Sequence, residues 1–302
     1  MSTSTIIPAH FDPATTRAAF TRARPQSTSV QLYNEIANRL REHLDPIRIT
    51  PARIVDLGTG PNRSKNAWLT QLREQYPDAS VLASDVELSR LPEVPRRGRG
   101  FSFRPRPRTQ AVVMDATQPA VRAATIDLVT SNAMLHWVDG LPSVLSEARK
   151  ILRPGGLFMF STLGADTLVE LRQAWALHDA THAHVHPFPD MHDIGDQLTK
   201  AGFTDIVMDA ERVTLTYATP QELLAELHSL EVGNLCVARP MGLTTPRQLH
   251  CVCNAYHEVP GAVDPPTGRI IATVELVFAH AWANSTQGAL QRGQIDVAPP
   301  QL

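Results

Sequence analysis

Arg53-Ile54-Val55-Asp56-Leu57 is a short apolar run that ends in Gly58-Thr59-Gly60-Pro61-Asn62. It gives way to Lys65 to Tyr76, where Trp68, Leu69 and Leu72 share a helical face. A strand left through a glycine turn into a helix needs a long crossover to return beside itself. This unit therefore commits the chain to a parallel α/β arrangement.

The rest of the sequence repeats that alternation. Ser80 to Ala83, Ala111 to Met114, Asp127 to Ser131 and Leu157 to Thr162 read as buried strands. Leu141 to Leu152 reads as a helix with Leu141, Val144, Leu145 and Ala148 inward, stopped by Pro154-Gly155-Gly156, which also start the next strand. Ahead of the first strand, Val30 to His43 carries Leu32, Ile36 and Leu40 at helical spacing. Beyond Thr162 come helices over Thr167 to His178 and Asp190 to Ala201, then a strand pair, Asp205 to Met208 and Arg212 to Tyr217. Helices over Pro220 to Leu230 and Arg247 to Tyr256 follow, before a β-rich stretch from Arg269 to Trp282. The expectation is an α/β, Rossmann-like fold: a mostly parallel twisted sheet with helices on both faces and a helical insertion before the last strand. The organisation expected is an N-terminal helical segment over 1–50, a main domain over 51–287 with residues 219–268 inserted as a lid, and a frayed tail over 288–302.

With 302 residues, 43% hydrophobic and 19% charged, the chain has material for one large domain or two small ones. A net charge of −2 gives no overall basic field, so neither nucleic acid nor an anionic membrane is an implied partner. Cys236, Cys251 and Cys253 are too few and too clustered for a disulfide framework and suit a reducing compartment. Met1 to His10 lacks the layout of a secretion signal, and no run approaches the roughly 18 apolar residues of a membrane span, so the expected location is the cytoplasm.

The glycine turn lies where open α/β sheets bind ligands, at the carboxyl edge of the first strand. A dinucleotide fingerprint would want a third glycine where Arg63 stands, which disfavours NAD. Asp85 ends the second strand, in the place of a carboxylate that accepts both ribose hydroxyls, and Asp115 ends the third. With Asp56, three successive strands carry aspartates at one edge. Such a cluster would repel a pyrophosphate and favours a nucleoside without phosphates.

The series Asp56 to Asn62, Asp85, Asp115-Ala116, Ile126-Asp127-Leu128-Val129 and Ile151 to Gly156 resembles the motifs of class I S-adenosylmethionine-dependent methyltransferases. Further along, Ser161 to Arg172, His184-Val185-His186-Pro187-Phe188, Asp193 to Asp196 and Phe278 to Trp282 are similar to the malonyl-acyl-carrier-protein O-methyltransferases of biotin synthesis. This second likeness spans nearly the whole chain.

The resemblance implies S-adenosylmethionine as cofactor, with Gly58 and Gly60 under its methionine part. Asp85 would hold the ribose, and Asp115 with the Ala116 amide would face the adenine. Asp56 and Asn132 join this cofactor set. The stretch Ser131 to Trp137, with His136 in place of a commoner glutamine, would close over the methyl group. The implied reaction esterifies the free carboxylate of a malonyl thioester on acyl-carrier protein or coenzyme A. The carboxylate is already a nucleophile and needs no general base. His136 and Arg172 are the expected catalytic pair, Arg172 because a guanidinium forks onto a carboxylate.

Two departures from the family stand out: Asn62 replaces a usual glycine, and Arg24 to Thr28 lack the expected tyrosine, for which Tyr33 would have to substitute. Six arginines between Arg96 and Arg108 form the one basic run, read as a docking site for an acidic carrier. His178, His182, His184, His186 and His192 fit no common zinc spacing, so no metal is expected. Two other readings stand beside the first: a protein like the complex I assembly factor associated with arginine hydroxylation, which shares Leu135 to Val138, and a non-catalytic binding module on a degenerate methyltransferase fold.

Overall fold

A computed structural model describes residues 11, 13–22, 27–60, 67–92, 109–229, 233–240 and 242–284. Asn62, the Arg96 to Arg108 run and the 288–302 tail lie outside them. The strands are β1 (Arg53–Leu57), β2 (Ser80–Asp85), β3 (Thr109–Val113), β4 (Ile126–Asn132), β5 (Leu152–Leu163), β6 (Thr204–Tyr217) and β7 (Ile270–Trp282). The helices are α1 (Pro13–Arg22), α2 (Ser27–Leu44), α3 (Trp68–Gln75), α4 (Leu141–Ile151), α5 (Val169–His178), α6 (Met191–Lys200), α7 (Pro220–Ser229) and α8 (Pro246–Tyr256), with short 3-10 turns at Leu88–Arg90 and Leu135–Trp137.

The seven strands order as β3-β2-β1-β4-β5-β7-β6. β1 to β5 pair in parallel, while β7 runs antiparallel between β5 and β6. The order reverses between β1 and β4, and the crevice at their carboxyl ends is where such a sheet binds ligands.

Apolar stripes on the helices cover both faces. Val144, Leu145, Ala148 and Ile151 of α4 pack with Ile194 and Leu198 of α6 on one side. Ile36, Ala37, Leu40 and Leu44 of α2 pack with Trp68, Leu69 and Leu72 of α3 on the other. A third cluster joins Leu171, Ala174 and Trp175 of α5 to Leu223 of α7, Val252 and Tyr256 of α8, and Ile270 and Ala272 of β7. The helices between β6 and β7 thus share their core with α5 and the sheet.

Asp127 explains its place in the sequence series by bracing strands. Its Oδ2 accepts from the Ala52 and Arg53 amides at 2.7 and 2.8 Å, and its Oδ1 meets Arg153 Nε at 2.7 Å. The start of β1 is thereby tied to β4 and β5.

Two elements differ from the sequence reading. β6 is one continuous strand because at the sheet's end Asp209, Ala210 and Glu211 stay exposed within it, Asp209 and Glu211 on the face where they meet His43 and Arg39 of α2. Pro154-Gly155-Gly156 stand inside β5 as an irregularity in the β4 register, held by Gly155 N–H to Ala283 O at 3.1 Å and Ala283 N–H to Gly156 O at 2.8 Å.

Candidate functional site

The glycine turn leaves β1 with Gly58 at φ 68° and Gly60 at φ 64°, a left-handed conformation that costs residues with a Cβ. A Cβ on Gly58 would stand 2.1 Å from Met134 Cγ. Among the described residues, one on Gly60 would meet nothing closer than Arg90 Nη2 at 3.7 Å. The turn is packed tight beneath Gly58, and at Gly60 the described residues leave room for a ligand to approach the backbone.

Asp85 closes this cradle from the next strand. It is 6% exposed, and its two oxygens accept the Gly60 and Glu87 amides at 3.1 Å each. Burial raises its pKa, and the Arg90 guanidinium, with Nε 3.7 Å from Oδ2, works against that rise. Arg90 in turn lies 4.6 Å over the ring of Phe20 on α1, so the N-terminal helix reaches this acid through a cation–π contact.

Asp56 turns the other way. It accepts Thr130 Oγ1 at 2.9 Å and Thr59 Oγ1 at 2.8 Å, and supports the turn from within the sheet. Burial pushes its carboxyl up to about 7 against these two hydrogen bonds, with the negative Asp85 adding to the rise. The folded pKa lies above the ordinary carboxylate value near 4, so the folded state holds a proton that the unfolded chain has released. This contribution is full below about pH 4 and is lost as pH rises towards about 7, at roughly 1.4 kcal/mol per pH unit. Asp56→Asn is expected to erase it: in denaturant titrations, the stability of the variant relative to the parent should grow from pH 4.5 to 7.5. A constant difference would show that Asp56 does not titrate in this range.

Asp115 is exposed and forms a local turn, accepting the Thr117 amide at 2.8 Å and hydroxyl at 2.7 Å, with Ala116 beside it. Asp85 and Asp115 are joined through the backbone, Met114 N–H donating to Asp85 O at 2.9 Å. Asn132 spends its side chain away from the turn: Nδ2 donates to Tyr33 O at 3.3 Å and Oδ1 accepts Ser161 Oγ at 2.8 Å. Tyr33 is partly buried against the α2–α3 side of the core. The structure thus brings Gly58, Gly60 and Asp85 together, sets Asp115 and Ala116 next along the edge, and turns Asp56 and Asn132 inward.

Across β4 and β5 the crevice is walled by aromatic rings, to which Phe11 is the addition that the sequence reading did not make. His186 Nε2–H donates to the His136 carbonyl at 2.7 Å, which fixes its tautomer, and the Cys236 thiol lies 3.6 Å from Nδ1 as the donor. Phe11 stacks on His186 at 4.6 Å and pairs with Cys236 through a β-bridge, while Trp137 and Phe188 lie 5.5 and 4.8 Å from the same ring. Burial pushes His136 down to about 3 and, with the positive Arg172 nearby, His186 down to about 4. Both imidazoles are neutral at physiological pH. The runs Ser131 to Trp137 and His184 to Phe188 pointed to this wall, whereas Phe11 comes from a distant part of the chain that carried no such signal.

Arg172, on the first turn of α5, donates from Nη1 to Ala165 O at 3.1 Å and from Nη2 to Thr167 O at 2.9 Å. Its Nε is buried without a partner, and its charge has no ion pair among the described residues. The nearby acids are engaged elsewhere: Asp166 with Arg212, and Glu170 with the Thr273 amide at 3.0 Å. Burial lowers the Arg172 pKa, as expected of a cation short of compensation.

The histidine run is organised by Asp179, whose Oδ2 accepts from His182 Nδ1 and His184 Nε2 at 2.9 Å each, with His184 stacked 3.7 Å from Trp175. No group of three or more His, Cys, Asp or Glu among the described residues could hold a metal ion. No helix among them is long and apolar enough to cross a membrane.

Residues 30–207 match the family described as Methyltransferase domain. The chain is 40% identical over 251 residues to malonyl-[acyl-carrier protein] O-methyltransferase of Halorhodospira halophila, covering 83% of this chain and 81% of that protein. It is 37% identical over 281 residues to the Laribacter hongkongensis protein of the same name, covering 90% and 89%. Among solved structures, the YcgJ protein of Bacillus subtilis superposes with a TM-score of 0.55 at 9% identity over 82% of this chain and 99% of its own. The phosphoethanolamine N-methyltransferase 2 of Haemonchus contortus gives 0.52 at 15% identity over 89% and 60%. The structural likenesses show the fold, and the sequence relatives show the family: this chain belongs to the malonyl-[acyl-carrier protein] O-methyltransferases.

Proposed function

We infer that this chain transfers a methyl group from S-adenosylmethionine to the free carboxylate of a malonyl thioester held on acyl-carrier protein. The relatives favour this over the assembly-factor and degenerate-module readings. The observation that carries it is Arg172, a half-buried guanidinium whose Nε–H is itself buried and unpartnered, past the carboxyl end of β5 and close to His186 in the wall of rings.

The residues at the crevice fit the cofactor: an open glycine turn under positive φ, and a buried acid where a ribose would lie. When bound, S-adenosylmethionine would supply an electrophilic methyl on a sulfonium; a carboxylate oxygen would bond to that methyl carbon as its bond to sulfur breaks and the neutral thioether leaves, with no proton to remove and so no general base. Arg172 holds the malonyl carboxylate in line. His136 and His186, both neutral, neither protonate it nor compete with it as cations. Phe11, Trp137 and Phe188 exclude water around the exchange. Esterification removes the carboxylate charge, so the grip of Arg172 weakens on product and release follows. The Arg96 to Arg108 run supplies long-range attraction for an acidic carrier.

Methyl transfer from labelled S-adenosylmethionine to malonyl-carrier protein, with succinyl-carrier protein as control, tests the reading. Methyl ester is expected on the malonyl thioester alone. Arg172→Ala should lower kcat/KM by about 10- to 100-fold while the cofactor Kd is unchanged. Equal turnover of both acyl chains, or an Arg172 variant as fast as the parent, would sink the clamp.

A further inference from the structure

Residues 242–250, which lead into and begin α8, are exposed without interruption. Leu243 is 96% exposed, and Val237 and Leu249 are exposed as well. This is an ordered surface. Thr245 and Gln248 cap the helix reciprocally, Gln248 N–H to Thr245 Oγ1 at 3.2 Å and Thr245 N–H to Gln248 Oε1 at 2.8 Å. The second half of the helix, through Val252, Cys253 and Tyr256, is buried, so the first half projects from a fixed base.

Its charge has one sign. From 233 to 257 the sequence holds Arg239 and Arg247 and no Asp or Glu. Arg239 is anchored by donating from Nη1 to Cys236 O at 2.9 Å, and Arg247 has no ion pair among the described residues.

The segment just ahead of it in the chain adjoins the crevice. Leu235 and Cys236 pack with Phe11, Trp137 and Ala183, and the Ala183 amide donates to Ala238 O at 3.1 Å. Gly58, Gly60, Asp85 and Asp115 occupy the β1–β2–β3 half of the sheet edge, which leaves the β4–β5–β7 half, under this cover, for the acceptor.

We propose that Val237, Leu243 and Leu249, flanked by Arg239 and Arg247, form the ledge on which the acidic acyl-carrier protein seats while its malonyl arm enters beside Arg172. The proposal rests on the function inferred above. An apolar centre with a basic rim is complementary to an acidic protein surface. A second copy of the chain would set like charges against one another. An anionic bilayer would match the charge but would not present a thioester to the adjoining crevice.

The test is a double variant, Leu243→Glu with Arg247→Glu, assayed with malonyl-carrier protein and with malonyl-pantetheine, which has no protein surface. KM for the carrier substrate should rise by about tenfold or more with kcat unchanged, and malonyl-pantetheine should be methylated as by the parent. Salt should raise the carrier KM of the parent more steeply than that of the variant. An unchanged carrier KM overturns the ledge, as does an equal loss on both substrates. So does a variant whose only defect is in binding phosphatidylglycerol vesicles or in self-association. A parent enzyme that methylates neither thioester removes the functional reading, and the ledge falls with it.

Discussion

Gly58→Ala is expected to abolish cofactor binding, lowering affinity by more than about 100-fold, and to lower the melting temperature by several degrees. Two costs act together. A Cβ at φ 68° costs about 1–2 kcal/mol of backbone strain. The same Cβ would sit 2.1 Å from Met134 Cγ and 2.7 Å from Met134 Cβ, so the side chain cannot swing clear and the backbone before the Leu135–Trp137 turn must move. Gly60→Ala separates the effects. Its φ of 64° carries the same strain, but the nearest atom of the described residues is 3.7 Å away, so it should cost less stability while still obstructing the ligand's approach. Calorimetric titration with S-adenosylmethionine and thermal melts of both variants are the measurements. A Gly58→Ala protein that binds with the parent's affinity would place the cofactor elsewhere.

Asp85→Ala should weaken cofactor binding by about 2 kcal/mol or more, some 30-fold. Hydrogen bonds from hydroxyls to a buried carboxylate are worth more than neutral ones. The loss is compounded before any ligand arrives. The Gly60 amide would lose its acceptor, and Arg90 would lose the acid it faces while still resting on Phe20. Asp85→Asn is the informative companion, since it keeps the size and one acceptor but removes the charge. The expected order of Kd is parent, Asn, Ala. If all three bind alike, the ribose role falls and Asp85 is left as a support of the glycine turn.

The strands at the heart of the sheet were legible because, covered on both faces, they are written as unbroken apolar runs between glycines. β1 matched its expected bounds for that reason. The same double covering hides orientation. With four consecutive residues of β1 buried, nothing in the sequence says that Asp56 turns towards Thr130, or that the amide of Asn132 is taken by Tyr33 and Ser161. β6 misled in the opposite sense: Asp209-Ala210-Glu211 has the composition of a turn, and only the sheet's outer position makes it strand. The aromatic wall was least legible. Phe11, Trp137, His186 and Cys236 have no common periodicity and meet through tertiary folding alone. Arg172 could be chosen by chemistry, but that its Nε lacks a partner is a property of packing.

The polar outer side of β6 also bears on how the protein behaves when crowded. A strand of 14 residues at the end of a sheet offers a long row of unpaired amides and carbonyls, on which another chain could grow a cross-molecular ribbon. Here Asp205, at φ 49°, begins a register shift between Thr204 and Val207 that bends the row. Further along, Asp209 and Glu211 place carboxylates where an incoming strand would have to desolvate them. The residues that disguised this strand in the sequence are thus the ones that keep it from recruiting copies of itself, and they guard the colloidal solubility of a chain whose net charge of −2 gives little other protection.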